Sequence, residues 1–155
     1  MQRRVEPLPA LGRFDNGVHR YPVRIYFEDT DLTGVVYHAN YLRYMERARA
    51  DMLMLVGIDQ RAIMTAGEGY FAVADVAISY RRPAMLSDDL TVVSRLTLIR
   101  AAATLISQQV WRGDELLTQA TVTAAWLASN GRPQRQPAHW ALRFNELRRQ
   151  AETEN

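Results

Sequence analysis

Residues 40–57, NYLRYMERARADMLMLVG, form the stretch that decides the fold. Apolar residues recur in it every three or four positions, at Tyr41, Met45, Ala48, Met52 and Val56. This period predicts one long amphipathic helix, with Asn40 as its N-cap and Gly57 as its end. An apolar stripe of this length has to be buried, and a sheet is the expected partner.

Extended segments lie on both sides of this helix. Before it, residues 21–27, YPVRIYF, alternate apolar and polar side chains, which predicts a half-buried strand over Tyr21–Phe27. After a short helical piece around residues 59–66, four further strands are predicted: Tyr70–Tyr80, Asp89–Ile99, Ala103–Trp111 and Glu115–Ala128. Their short connections are typical of antiparallel hairpins. A basic helix over Ala138–Gln150 ends the pattern.

The fold expected from this order is α+β. A curled antiparallel sheet of five strands wraps around one long central helix, and a C-terminal helix follows. The domain is expected to span residues 21–128, between an N-terminal extension, 1–20, and a C-terminal extension, 129–155. Because such a sheet leaves one edge and one face uncovered, we expect a homodimer or a homotetramer.

Composition excludes several classes of protein. The 155 residues contain no cysteine, which excludes thiol nucleophiles, thiolate zinc sites and iron–sulfur clusters. All 19 basic residues are arginine and 17 acids nearly balance them, so nucleic-acid binding is not expected. The three histidines are too far apart for a helical metal-binding pair, and no metal site is expected. Without an apolar run long enough for a signal peptide or a membrane span, the chain is expected to be cytoplasmic.

Three carboxylates, Glu28, Asp29 and Asp31, lie within four residues after the first predicted strand. If the alternation of the strand continues, Asp29 and Asp31 lie at the mouth of the apolar layer. Desolvation and mutual repulsion would raise the pKa of a carboxyl group there. The helix that begins nearby brings free N–H groups that could hold an oxyanion. From spacing alone, a solvated turn and a reactive carboxylate are equally favoured.

The residues around this cluster form a more specific pattern. Arg24-Ile25 is followed after four residues by Thr30-Asp31, and after two more by residues 34–41, GVVYHANY. This pattern resembles the active-site signature of the 4-hydroxybenzoyl-CoA thioesterase family, most closely its YbgC-type acyl-CoA thioesterase branch. Residues 77–84, AISYRRPA, and Asp88-Asp89-Leu90 are similar to the family's later strands. The likeness covers roughly residues 21–128.

The resemblance implies a hotdog fold and hydrolysis of an acyl-CoA to a carboxylic acid and free coenzyme A. It makes Asp31 the nucleophile or the general base on the thioester carbonyl, and His38 a polar group that orients substrate or water. Coenzyme A is part of the substrate, so no separate cofactor is implied, and acyl carrier protein is an alternative thiol carrier. The residues expected to bind substrate are Tyr37, Asn40, Arg81, Arg82 and Arg100. For Tyr37 and Asn40, packing and helix capping are the competing roles.

Other interpretations stay open. Some hotdog thioesterases use a carboxylate on the central helix, for which Glu46 and Asp51 are the candidates here. Each has an arginine at ion-pair spacing, Arg49 and Arg47 respectively, and the expected surface ion pairs favour Asp31 over both. A non-catalytic acyl-CoA sensor is a further alternative. The Asp-Thr-Asp-x-x-Gly signature argues against a hotdog dehydratase or hydratase.

Overall fold

The computed structural model describes residues 7–153 as one antiparallel sheet with three helices. The strands are β1 (Arg13–Asp15), β2 (Val18–Arg24), β3 (Tyr70–Tyr80), β4 (Asp89–Ile99), β5 (Ala103–Arg112) and β6 (Glu115–Leu127). Their order across the sheet is β1-β2-β4-β5-β6-β3, which leaves β3 at one edge. The bounds of the last four strands agree with the predicted ones to within one residue.

The long helix α1 (Asn40–Leu55) lies against the inner face of the sheet. The predicted stripe is confirmed, because Tyr41, Met45, Ala48 and Met52 are all buried. Gly57 has a φ of +84°, a left-handed conformation that favours glycine and stops the helix just after its last residue. This packing makes the helix and the sheet one core.

Two further helices complete the fold. The short α2 (Gln60–Thr65) is capped by Asp59, whose carboxylate accepts the N–H of Ala62. The C-terminal α3 (Ala138–Glu152) packs through Trp140, Phe144 and Leu147 on the second half of α1 and the neighbouring strands. Among residues 7–153, no helix is long and apolar enough to cross a membrane.

The first predicted strand is displaced. The chain leaves the sheet at Arg24 instead of Phe27, and a single 3-10 turn follows over Phe27–Asp29. The physical reason is that the Asp29 carboxylate accepts the N–H of Tyr26 at 2.7 Å and closes this turn. Phe27, predicted to face the core, is consequently 82% exposed.

The sheet has six strands, and the prediction of five is wrong. The extra strand, β1, pairs with β2 through a tight hairpin at Asn16-Gly17, where both residues have positive φ. An Asn-Gly pair between short extended runs is a strong hairpin signal that the sequence analysis overlooked. The sheet thus begins at Arg13, inside the segment described above as an extension, while residues 1–6 lie outside the described range.

Candidate active site

The loop that joins the 3-10 turn to α1 is held by its own backbone. Asp31 donates its N–H to the Val35 carbonyl at 2.9 Å, and Gly34 donates to the Asp31 carbonyl at 3.0 Å. Gly34 has a φ of +82°, which only glycine adopts without strain. Val36 then donates to the carbonyl of Ala84, which fastens the loop to the segment between β3 and β4. These bonds hold Asp31 in place within the loop that leads to α1.

The carboxylate of Asp31 is bonded on one side only. Its Oδ1 accepts the N–H of Thr33 at 2.8 Å and also the Thr33 hydroxyl. Within residues 7–153, no hydrogen bond to Oδ2 is formed. The hydroxyl and amide of Thr33 lower the pKa of Asp31, and the charge of His38 lowers it further. Asp31 is therefore an ionised, exposed carboxylate with one oxygen open to a ligand.

The expectation of a raised Asp31 pKa is wrong. It required the alternation of the first strand to continue to Asp31, which would have carried the carboxylate to the apolar layer. Because the strand ends at Arg24, the carboxylates of Asp29 and Asp31 both lie near the surface. Asp29 is used locally to close the 3-10 turn.

His38 lies in the same loop as Asp31, between the 3-10 turn and α1, and its electrostatic interaction lowers the pKa of that carboxylate. Its ring centroid is 4.7 Å from that of Tyr37 and 6.1 Å from that of Tyr80. The Tyr80 hydroxyl donates to the His38 carbonyl at 2.9 Å, so β3 holds the backbone at this point. The structure thus brings together Asp31, His38 and Tyr37, all of them exposed.

Asn40 is not the N-cap of α1, and that prediction is wrong. The cap position is Ala39, and Asn40 is the first helical residue. Its side-chain amide donates to the carbonyl of Asp29 at 2.9 Å, and the residue is 7% exposed. This bond ties the 3-10 turn to the helix, so the Asn40 side chain stabilises the loop.

The three candidate arginines lie in two places. Arg81 and Arg82 follow Tyr80, whose hydroxyl donates to the carbonyl of His38. Both arginines are exposed, and Arg82 forms an ion pair with Glu115 at 3.1 Å. Arg100 follows β4, whose other end pairs with the end of β2 near the loop. The eleven residues of β4 separate the two ends by about 33 Å, so a single chain does not bring Arg100 to Asp31.

The helix carboxylates differ from the prediction. Asp51 does not form a surface ion pair with Arg47: it is 2% exposed, and its Oδ2 lies 2.7 Å from His19 Nε2 and accepts the N–H of Gly12. Glu46 is exposed. Arg49 turns inward and donates to Gln108 at 2.8 Å instead of forming an ion pair with Glu46. Because Asp51 is buried and bonded to His19 and to the N–H of Gly12, Glu46 is the more accessible of the two helix carboxylates.

Tyr41 belongs both to the predicted apolar stripe and to the end of the family signature, and the structure gives it a further contact at the site. Its hydroxyl accepts the N–H of Ala84 at 3.0 Å, and the same peptide segment accepts from Val36 through the Ala84 carbonyl. Ala84 is fully buried. The first turn of α1, the Asp31 loop and the segment after β3 therefore meet at Ala84. The separation of 43 positions along the chain hides this contact from any local pattern.

The hydrogen bond between the Ala84 N–H and the Tyr41 hydroxyl is called the clamp here, and replacing Tyr41 by phenylalanine tests it. The change leaves the buried N–H of Ala84 without an acceptor, so the free energy of unfolding should fall by about 1–3 kcal/mol. Denaturant unfolding of Tyr41→Phe at a fixed protein concentration measures the loss. Tyr37→Phe is the matched control, because that hydroxyl is on an exposed side chain; an equal effect of both changes would contradict the clamp.

An antiparallel sheet around one long helix is the hotdog fold that the resemblance implied, and this is the fold of a class of thioester hydrolases. The model of the thioesterase superfamily matches residues 33–119, more than half of the chain. The chain belongs to this superfamily. The matched range begins two residues after Asp31, so the role of Asp31 has to be argued from its geometry.

Individual relatives agree with this assignment. The acyl-CoA thioesterase YbgC of Haemophilus influenzae is 40% identical over 111 residues, which are 72% of this chain and 81% of the relative. A probable thioesterase from Bartonella henselae has 32% sequence identity and a TM-score of 0.74, over 77% of this chain and 99% of that one. A thioesterase from Thermus thermophilus, solved with coenzyme A and zinc, has 27% identity and a TM-score of 0.73, over 85% of this chain and 94% of its own. The resemblance to the YbgC-type branch is thereby confirmed.

Proposed function

We propose that the protein hydrolyses acyl-CoA thioesters to a carboxylic acid and free coenzyme A. The observation that carries this proposal is the Asp31 carboxylate, which is ionised, exposed and open at Oδ2, just before the first turn of α1. The names of the similar proteins, acyl-CoA thioesterase and acyl-CoA thioester hydrolase, support coenzyme A as the thiol.

Asp31 has two possible roles in this reaction. As general base it removes a proton from water, whose oxygen forms the new bond to the thioester carbon while the carbon–sulfur bond breaks. As nucleophile it forms an anhydride with the acyl group and expels the thiolate, and water then cleaves the anhydride. In both cases the thiolate leaves with the bonding electron pair and takes up a proton. Both roles need the ionised carboxylate, which is the form of Asp31 at neutral pH.

The surroundings of Asp31 supply the remaining functions. The free N–H groups and positive dipole end of α1 can stabilise the oxyanion that develops on the thioester carbonyl. His38 orients the substrate or the water, and Tyr37 lines the approach to it. Arg81, which is exposed and follows Tyr80, offers a cation to the phosphates of coenzyme A. A carboxylate and backbone donors suffice for a thioester, so the mechanism needs no metal.

A second copy of the chain would complete the site. β3 is an edge strand of eleven residues, with exposed Val73, Val76 and Tyr80. An edge of this length attracts another strand unless it is covered. The contact of Tyr80 with His38 places the end of this edge beside the candidate site. A homodimer joined here is therefore proposed, and light scattering of the purified chain should give twice the monomer mass or a multiple of that value.

Detection of free thiol across a panel of acyl-CoAs tests the function. We expect thiol release from at least part of the panel, with a rate that EDTA does not change. An acyl carrier protein thioester in the same panel identifies the preferred carrier. Saturable binding of acyl-CoAs without thiol release from any of them would contradict the proposal and favour a sensor.

A further inference from the structure

A cavity of about 140 Å³ lies between α1 and the inner face of the sheet. Apolar side chains from the helix and from four strands line most of it: Met52, Leu53, Phe71, Leu96, Ile106 and Ala124. Neither Asp31 nor His38 is among the lining residues. An apolar cavity of about 150 Å³ in another protein stays dry and accepts benzene, so this space fits an apolar group of about six carbon atoms.

Two charged side chains of α1, Glu46 and Arg49, also line this cavity. Arg49 Nη1 donates to Oε1 of Gln108 at 2.8 Å. Gln108 is fully buried, and its amide nitrogen donates to the carbonyl of Met45 and to the hydroxyl of Ser94. The amide is therefore held on both sides and fixes the guanidinium at the cavity wall.

The charge of Arg49 has no direct counter-ion in the part of the chain that the structure describes. Its bonded partner is a neutral amide, and no described carboxylate lies within 4.0 Å of the guanidinium. Glu46 acts on it only through a weaker electrostatic interaction, and burial lowers the pKa of Arg49. An arginine stays protonated even so, and most of its five donors are left for a ligand.

We propose that the cavity and Arg49 form a binding site for a small carboxylic acid, whose carboxylate pairs with the guanidinium and whose apolar tail of about six carbons fills the cavity. A planar guanidinium that has lost water binds a carboxylate through two parallel hydrogen bonds. Hexanoate and benzoate have the required chemistry and size. Glu46 repels such a ligand because its carboxylate carries the same charge. Glu46 therefore limits binding in the cavity, whereas Asp31 is assigned to the hydrolysis.

The consequence for the reaction rests on the proposed function. Thioester hydrolysis releases a carboxylic acid, which belongs to the class that this site accepts. Short-chain acid products should therefore bind at this site through Arg49. The binding site itself does not depend on that activity, because none of its residues has been assigned to the hydrolysis by Asp31.

Titration calorimetry of the full chain with hexanoate, benzoate and the uncharged 1-hexanol tests the site. Wild type should bind hexanoate saturably and at least about tenfold tighter than 1-hexanol, since a hydrogen bond to a charged partner is worth this factor or more. From butyrate to hexanoate, affinity should rise about fourfold per methylene. Equal binding of hexanoate and hexanol, or no saturation with hexanoate, overturns the proposal without any variant.

Three variants and a control sharpen the test. Arg49→Gln should weaken hexanoate binding at least about tenfold, and Glu46→Gln should strengthen it. Ala124→Leu should weaken hexanoate by filling the cavity. Arg43→Gln, an equal loss of charge on an exposed position of α1, should leave the affinity unchanged. If Arg43→Gln weakens binding as much as Arg49→Gln, the attraction is general and the site is wrong.

The two proposals fail in different ways. Hexanoate binding that depends on Arg49, in a protein that releases no thiol from any acyl-CoA, would preserve the site and refute the thioesterase function. Thiol release from acyl-CoAs with no Arg49-dependent binding of hexanoate would do the reverse.

Discussion

Replacing His19 by leucine should lower the free energy of unfolding by about 3 kcal/mol or more, because it removes a hydrogen-bond donor from the buried Asp51 carboxylate. His19 is fully buried, and its Nε2 lies 2.7 Å from Oδ2 of Asp51. Leucine fills a similar volume but leaves the Asp51 carboxylate, among residues 7–153, with the N–H of Gly12 as its one remaining hydrogen-bond donor. Because this pair joins β2 to α1, its loss should loosen the attachment of the N-terminal hairpin to the helix.

Denaturant unfolding at a fixed protein concentration measures this loss, since the stability of an oligomer depends on concentration. His19→Gln is the matched control, because its amide can still donate to Asp51. We expect the glutamine variant to lose less than half as much stability as the leucine variant. Equal losses would show that packing, and not the bond to the carboxylate, is what His19 contributes.

The same pair predicts how stability depends on pH. Burial lowers the pKa of His19 below its ordinary value of 6.5, although Asp51 opposes this shift. The folded protein therefore keeps His19 neutral at a pH where the unfolded chain already binds a proton. The contribution is complete above pH 6.5 and is lost as pH falls towards the folded pKa. Between pH 7 and pH 5, wild type should lose unfolding free energy faster than His19→Gln.

The long helix and four strands could be predicted because their signals are local. The period in residues 40–57 and the turn residues in residues 70–127 specify where the helix and these strands lie, and the structure agrees. The first strand failed for the opposite reason. The alternation of apolar and polar residues continues to Phe27, but the strand ends at Arg24 because the Asp29 carboxylate closes a turn at Tyr26. The sequence pattern is therefore longer than the strand.

The candidate site was predictable in part. The motif around Asp31 and His38 indicated both residues, and the structure places them in one region. The bond between His19 and Asp51 spans 32 residues, and the helical spacing of Asp51 from Arg47 suggested a closer partner. A spacing rule ranks only neighbours along one helix, whereas burial decides which distant group a carboxylate meets. The inward turn of Arg49 was missed for the same reason.

The second large effect is expected at Asp31. Asparagine at this position can still accept the hydrogen bonds of Thr33 through Oδ1, so the loop should keep its shape. An amide can neither remove a proton from water nor form an anhydride with the acyl group. The value of kcat/KM should therefore fall at least about 100-fold, the low end of what a positioned acid–base group contributes.

Glu28→Gln and Glu46→Gln are the controls for this change. Glu28 is an exposed carboxylate three residues before Asp31, and its removal alters the local charge equally. Glu46 is the carboxylate on α1 that remains as an alternative catalyst. Both variants should hydrolyse the best acyl-CoA of the panel at a rate close to that of wild type.

The most direct test of the Asp31 carboxylate as the reacting group is a comparison of kcat/KM between two variants, Asp31→Asn and Glu46→Gln. Both values are measured by free-thiol release from one acyl-CoA. We predict that Asp31→Asn is slower than Glu46→Gln by at least about 100-fold. A nearly inactive Glu46→Gln beside a mildly affected Asp31→Asn would contradict this mechanism and move the chemistry to the helix.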